Sequence, residues 1–368
     1  MRNQDKFRGC LIGGAAGDAL GYAVEFMDAW SIFKRFGPAG ITEYVLHKGV
    51  AQISDDTQMT LFTATGLLSG TAAGKIRGAK GQYSDYIACA YKEWLRTQNG
   101  SSPQKNERLH SWLANVPALY SRRAPGLTCL SALGSGKSGS MEAPINSSKG
   151  CGGVMRVAPI GLYFTDKGMP AEAIDAIGAE AAALTHGHEL GYIPAAALVH
   201  LIYLLSSEES IGLSEAVEDM IRAMQKQFAS AKHIGQFVKG IRRAVELSAS
   251  EKEDSEAIRI LGEGWVAEET LAIAIYCALR YPEDFDKALI ASVNHDGDSD
   301  STGAVTGNIL GVYLGMNGIP QKYITHLELR DLILEIADDL YTDGGMSEEG
   351  ADPDLVWAQK YMETTYHP

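Results

Sequence analysis

The sequence predicts an all-α fold, and three observations carry the prediction. Apolar residues recur at helical spacing in successive segments: MTLFTATGLL after Thr57, YSDYIACAYKEWL from Tyr83, PAAALVHLIYLL from Pro194, VAEETLAIAIYCAL from Val266 and LRDLILEIADDLY towards the C-terminal end. Long runs of strict alternation, the mark of half-buried strands, are missing. Alanine, the best helix former, is abundant in the segments, and the breaks between them are rich in Gly, Pro, Asn and Ser.

With 45% hydrophobic residues, the 368-residue chain can bury a sizeable core. The looser stretch 97–149 holds QNGSSPQKN and LGSGKSGS. Because chemically informative motifs flank it on both sides, it reads as a surface loop region within one helical domain spanning 1–368. A net charge of -14 and the lack of any basic run argue against a nucleic-acid partner, whose phosphates call for a basic stripe. Cys10, Cys89, Cys129, Cys151 and Cys277 lie far apart without a CxxC pair, which suits a reducing compartment better than a disulfide framework. Lys6 and Arg8 precede an apolar run as in a signal peptide, but Asp18 interrupts that run and glycine is too frequent in it. The apolar stretch 304–318 contains Asn308 and is shorter than the roughly 18 residues that span a bilayer. The expectation is a cytoplasmic protein with no membrane partner.

Two predicted helices carry glycine every fourth residue: Gly9, Gly13, Gly17 and Gly21 in the first, and Gly303, Gly307, Gly311 and Gly315 near the end. Each interior glycine costs about 0.8–1 kcal/mol relative to alanine, so a stripe of four needs a tertiary return. Close backbone packing supplies one; flexible loops are the alternative.

Acidic residues cluster at two predicted helix starts. Ser54-Asp55-Asp56-Thr57 precedes the MTLF segment. Capping alone explains one such residue, while a helix N-terminus also favours ionised carboxylates available as hard oxygen ligands. The second cluster, Asn294-His295-Asp296-Gly297-Asp298-Ser299-Asp300-Ser301, opens the second glycine stripe. Its alternating acids resemble the start of an EF-hand loop. Counted from Asp296, however, position 6 is Ser301 instead of Gly and position 12 is Gly307 instead of Glu. A solvated acidic loop remains open. So does an HD-type phosphohydrolase using His295 and Asp296 with His186 or His188, whose mixed ligands suit transition metals; oxygen-only ligands point to Mg²⁺ or Mn²⁺.

Five ordered stretches resemble the ADP-ribosylglycohydrolase family: GCLIGGAAGDALGYAVEF from Gly9, SDDTQMT from Ser54, SKGCGGVMRVAPIGLYF from Ser148, LTHGHELGY from Leu184 and GDSDSTGAVTGNILGVYLG from Gly297. The resemblance implies a large orthogonal helical fold and a centre of two divalent cations, Mg²⁺ or Mn²⁺, held by Ser54, Asp55, Asp56, Asp298, Asp300 and Ser301. It places Glu25 against that centre, with Glu25, Asp55 and Asp56 the candidate proton acceptors. Ser148, Lys149, Gly150, Cys151, Gly152, Gly153 and His186 correspond to the wall that receives ADP-ribose, and His188 to a structural residue.

Three positions depart from the family's habit: Cys151 where some relatives carry Asn, Glu189 where Pro is frequent, and Asp296 where a small residue is common. None removes an implied metal ligand. No adjacent motif activates Cys151, which reads as a pocket-lining thiol. The implied activity is hydrolysis of the bond joining ADP-ribose to an arginine or serine side chain of a modified protein, with ADP-ribose or the ADP-ribosylated protein as partner. A catalytically silent ADP-ribose- or transferase-binding protein is the alternative from another class. Trp265, Arg122 and Arg123 are further candidates for the pocket rim.

Overall fold

The computed structural model describes residues 2–78, 81–207, 211–342 and 355–367. Helix dominates, as expected. The first half of the described chain holds α1 (Gln4–Tyr22), α2 (Ala29–Phe36), α3 (Asp55–Arg77), α4 (Tyr83–Gln98), α5 (Leu127–Gly134), α6 (Ala158–Phe164), α7 (Ala171–Ala183) and α8 (Glu189–Ser206). The second half holds α9 (Leu213–Gln227), α10 (Ile234–Ser248), α11 (Asp254–Leu261), α12 (Ala267–Arg280), α13 (Phe285–Val293), α14 (Ser299–Leu314), α15 (Lys322–Thr325), α16 (Arg330–Thr342) and α17 (Leu355–Tyr361). Among the described residues, the one sheet is a two-stranded hairpin of β1 (Leu46–His47) and β2 (Val50–Ala51). Lys48 and Gly49, both at positive φ, make its turn, matching the twist of the flanking strands.

The glycine stripes explain the centre of the fold. Helices α1 and α14 run antiparallel with Gly9 against Gly311, Gly13 against Gly307 and Gly17 against Gly303. A Cβ built on Gly13 would stand 2.3 Å from the Gly307 carbonyl oxygen, and one on Gly17 would stand 1.9 Å from that of Gly303. These are backbone-to-backbone contacts that no side chain can enter. The stripes are not symmetrical at their ends: Gly21 meets the Ser299 carbonyl, and Gly315 lies beyond α14 at φ 74°, against Asp5. The register carries the C-terminal end of α1 to the N-terminal end of α14.

Helix α8 begins at Glu189, ahead of the predicted start at Pro194, which falls inside it. The His188 side chain accepts from the Leu190 N–H and so caps the helix earlier than the apolar periodicity suggests. Its length and composition suffice to cross a membrane, yet 78% of its apolar window is buried in the fold, where it packs on α7, α6, α9 and α12. It is a core helix.

One charged cluster braces this layer. His200 of α8 is buried between Asp175 of α7, with Nδ1 to Oδ2 at 2.8 Å, and Asp219 of α9, with Nε2 to Oδ1 at 3.1 Å. Burial disfavours its charge, but the two carboxylates prevail and raise its pKa. Asp175 is fully buried, so removing the imidazole leaves its carboxyl group in the core without that partner. His200→Leu is expected to destabilise the fold by roughly 3–5 kcal/mol, the range for breaking one side of a buried pair, as read by urea unfolding.

Candidate functional site

Three chain segments converge because of the α1–α14 register. The first is the end of α1 with the turn that follows, carrying Asp18 and Glu25. The second is the start of α3, with Ser54 as N-cap and Asp55 and Asp56 in the first turn. The third is the start of α14, with Asp298 as N-cap and Asp300 and Ser301 following. Some 240 residues separate the two acidic motifs in the chain. They line one pocket of about 470 Å³ that contains Glu25, Asp55, Asp56, Asp298, Asp300 and Ser301.

Single oxygens of Glu25, Asp298 and Asp300 all lie within 4.8 Å of one another. Asp55 Oδ2 accepts from the Gly126 N–H at 3.2 Å, and Asp298 Oδ1 from the Ser301 N–H at 3.4 Å. Glu25 Oε2 and Asp56 Oδ1 are buried without a hydrogen-bond partner. No lysine or arginine is among the lining residues. A desolvated nest of carboxylates with orphaned oxygens and no protein counter-charge fits hard divalent cations, which take oxygen ligands.

Electrostatics point the same way. Burial first, and then the Asp300 charge, raises Asp55 and Asp56 well above the usual carboxylate range. Burial together with Asp300 and Asp298 pushes Glu25 up to about 10. Burial and then Asp300 raise Asp298 as well. The direction runs against the expectation that the α3 N-terminus favours ionised Asp55 and Asp56. A helix end contributes at most about 2 kcal/mol, less than the cost of crowding several buried like charges.

Not every predicted residue faces the pocket. Ser54 is fully buried and lies outside its lining; its hydroxyl accepts from the Asp56 N–H at 3.1 Å and reaches Asp56 Oδ2 at 3.4 Å. Of the wall segment, Gly150, Cys151, Gly152 and His186 line the pocket, whereas Ser148, Lys149 and Gly153 do not. Ser148 meets Thr128 at 3.2 Å, and Lys149 pairs with Glu268 beside an adjoining cavity of about 660 Å³. Gly153 packs against the Gly191 carbonyl and Ala182. Their role is to shape the loop that presents Gly150–Gly152. His186 Nδ1 shares a hydrogen bond of 2.8 Å with the Thr185 hydroxyl, and burial with the nearby Arg156 charge lowers its pKa to about 3, so it is a neutral wall residue.

The HD-type arrangement does not form. Both His295 nitrogens are engaged, Nδ1 with the Asp296 carbonyl and Nε2 with Ser292 and Thr302, while Asp296 caps α2 through the Ala29 N–H. Arg123 also lies behind the site: it holds the Ile53 carbonyl at 2.9 Å and pairs with Glu328, fixing the approach to Asp55. Trp265 does line the pocket. It stacks on Phe26 with centroids 6.3 Å apart; at the rim Phe26 is 75% exposed and Trp265 40% exposed.

Asp18 is the residue that sequence reasoning missed. Fully buried, it accepts from the backbone N–H groups of Ser54 at 2.9 Å and Thr57 at 3.0 Å and from the Thr57 hydroxyl. It thereby caps α3 from the neighbouring helix and locks the Asp55–Asp56 turn onto α1. The available signal was a lone acid in an otherwise apolar, glycine-striped helix.

Comparison with known proteins agrees with this geometry. The mouse ADP-ribosylhydrolase ARH3 is 25% identical over 348 residues, covering 88% of this chain and 87% of its own. The ADP-ribosyl-[dinitrogen reductase] glycohydrolase of Rhodospirillum rubrum is 24% identical, covering 89% and 91% respectively. A solved structure described as an ADP-ribosylglycohydrolase-related protein complex superposes with a TM-score of 0.63 at 24% identity over 92% of this chain and 98% of that one, and shares its fold. The ADP-ribosylglycohydrolase family model matches residues 1–350, and the chain therefore belongs to the ADP-ribosylglycohydrolase family of glycosylhydrolase-type enzymes.

Proposed function

We propose that this protein hydrolyses the glycosidic bond between ribose C1″ of ADP-ribose and a protein side chain, arginine or serine, using two divalent cations, Mg²⁺ or Mn²⁺. The convergence of Glu25, Asp298 and Asp300 within 4.8 Å in a pocket that also exposes Asp55 and Asp56 carries this reading. Asp55, Asp56, Asp298 and Asp300 would hold the cations, with Ser301, and Ser54 from behind Asp56, completing the donor set. The cations, when bound, supply electrostatic stabilisation of the ribose hydroxyls and an acidified water.

The chain's own residues then divide the remaining work. Gly150 and Gly152 leave room on the wall for a sugar-diphosphate; a Cβ on Gly152 would stand 2.9 Å from the His186 ring. Neutral His186 offers a hydrogen bond without adding charge. Glu25, reaching the cluster from a different element, would accept a proton from water once bound cations favour its ionised form, its Oε2 being buried without a hydrogen-bond partner. Phe26 and Trp265 offer flat apolar surface at the mouth.

Incubation with arginine- and serine-linked ADP-ribosyl peptides, with Mg²⁺, Mn²⁺ or chelator, tests the reading. Metal-dependent release of ADP-ribose supports it; stoichiometric binding without release in any metal would favour a silent reader instead. Glu25→Gln keeps size and loses the proton-accepting oxygen, so single-turnover cleavage is expected to fall by about 10²–10⁴. ADP-ribose affinity of the same variant should change far less, as its contacts lie elsewhere. Near-parental cleavage would remove Glu25 from the chemistry.

A further inference from the structure

The pocket that holds the cluster also carries sulfur. Cys151 lines the same pocket, and its thiol interacts with the Asp298 carboxylate and the Ser301 hydroxyl and feels the Asp56 charge. The backbone fixes its position: the Cys151 N–H donates to the Trp265 carbonyl at 3.1 Å, and its own carbonyl accepts from Val154 at 2.9 Å and Met155 at 3.2 Å. The same pocket is lined by Glu25 and Asp56, whose Oε2 and Oδ1 are orphaned on side chains more than nine-tenths buried. The other pocket thiol is placed differently. Cys129 Sγ lies 3.4 Å from the Arg156 guanidinium, whose charge repels a cation.

We propose that Cys151 gives this centre a sulfur ligand for thiophilic divalent cations, of the zinc, cobalt and cadmium class, which bind through the Cys151 thiolate together with Asp298 and compete with Mg²⁺ or Mn²⁺. The proposal rests on reading the cluster as a cation site. Hard Mg²⁺ draws nothing from a thiol, whereas zinc-class ions bind thiolate and outrank Mn²⁺ in affinity for mixed sites. On binding, the metal–sulfur bond forms, the S–H bond breaks, and the proton leaves to solvent. A chain with asparagine at position 151 would offer oxygen there and lack this preference. The consequence is control of the enzyme by soft cations, which load the centre without the ligand arrangement that serves the hard ones.

The experiment uses the full chain, stripped with chelator, and four proteins: parent, Cys151→Ser, Cys151→Asn and Cys129→Ser. Co²⁺ titration is expected to give a near-ultraviolet thiolate-to-cobalt charge-transfer band in the parent and in Cys129→Ser, and none in either Cys151 variant. Calorimetric Zn²⁺ affinity should fall at least about tenfold in the Cys151 variants. Mn²⁺ affinity should stay within about twofold of the parent in a folded variant. A parent that binds Mn²⁺ but shows no charge-transfer band, or a band that survives Cys151→Ser, overturns the sulfur ligand and leaves the cation site standing. A folded parent that binds neither Mn²⁺ nor Co²⁺ overturns both.

Discussion

Asp300→Ala is expected to reduce hydrolysis by at least about 10²–10³, the loss that follows removal of one preorganised electrostatic contact, and to do so chiefly by emptying the cation site. Asp300 is the charge common to the cluster: it raises the pKa of Asp18, Glu25, Asp55, Asp56 and Asp298 alike. A cation at 100 times its Kd stabilises the parent by about 2.7 kcal/mol, and most of that increment should vanish in the variant. The chelated variant should melt above the chelated parent, because the shared source of repulsion has gone. The pH dependence has a definite sign. Glu25 is raised from 4.5 to about 10 and Asp18 from 3.8 to about 7, so the folded chain holds protons that the unfolded chain releases. Their favourable contribution is complete below the unfolded pKa and is lost as pH rises through the folded value. The chelated parent should therefore lose thermal stability between pH 5 and 8, Asp300→Ala should show a shallower loss, and Mn²⁺ should remove most of it from the parent alone. Scanning calorimetry with and without chelator reads all three. Unchanged calorimetric Mn²⁺ affinity in Asp300→Ala would end its assignment as a ligand.

What could be read from the sequence divides along a physical line. Asp55–Asp56 and Asp298–Asp300 were visible because each is a compact local motif at a helix start. The two glycine stripes were visible because their cost in a helix demands a packing reason. Asp18 was not, since its work depends on the α1–α14 register, which brings it under a turn some 36 residues away. The behaviour of Ser148, Lys149 and Gly153 was hidden for a similar reason: only the middle of the wall, Gly150 to Gly152, lines the pocket, and the residues on either side hold the loop. The upward pKa shift of Asp55 and Asp56 was not legible because a local effect, the helix end, was weighed without burial and the distant carboxylates that the fold crowds against it.

Gly17→Ala tests the architecture that does the crowding, and a second glycine supplies the contrast. A methyl group on Gly17 would meet the Gly303 carbonyl oxygen at 1.9 Å and its carbonyl carbon at 2.3 Å, both backbone atoms of a buried residue of α14. Neither can rotate aside, so α1 and α14 must separate. Gly240, within α10, has nothing within 4 Å of a built Cβ. There the intrinsic helix preference acts alone, and Gly240→Ala should stabilise by about 0.8–1 kcal/mol. The same chemical change at Gly17 gains that preference too, yet overpacking against rigid backbone outweighs it, with an expected net loss of roughly 3 kcal/mol or more. Against a typical total of about 5–15 kcal/mol that is a large fraction of the fold. The damage should also be local to the site, because Gly17 adjoins Asp18 and Gly303 follows the Asp298–Ser301 cap. Separating the helices moves the Asp18 cap and the α14 carboxylates apart, so whatever Gly17→Ala protein remains folded should bind Mn²⁺ at least about tenfold more weakly. Urea unfolding and Mn²⁺ calorimetry on both variants decide it, and equal stability of Gly17→Ala and Gly240→Ala would show that the two glycine stripes are not in contact.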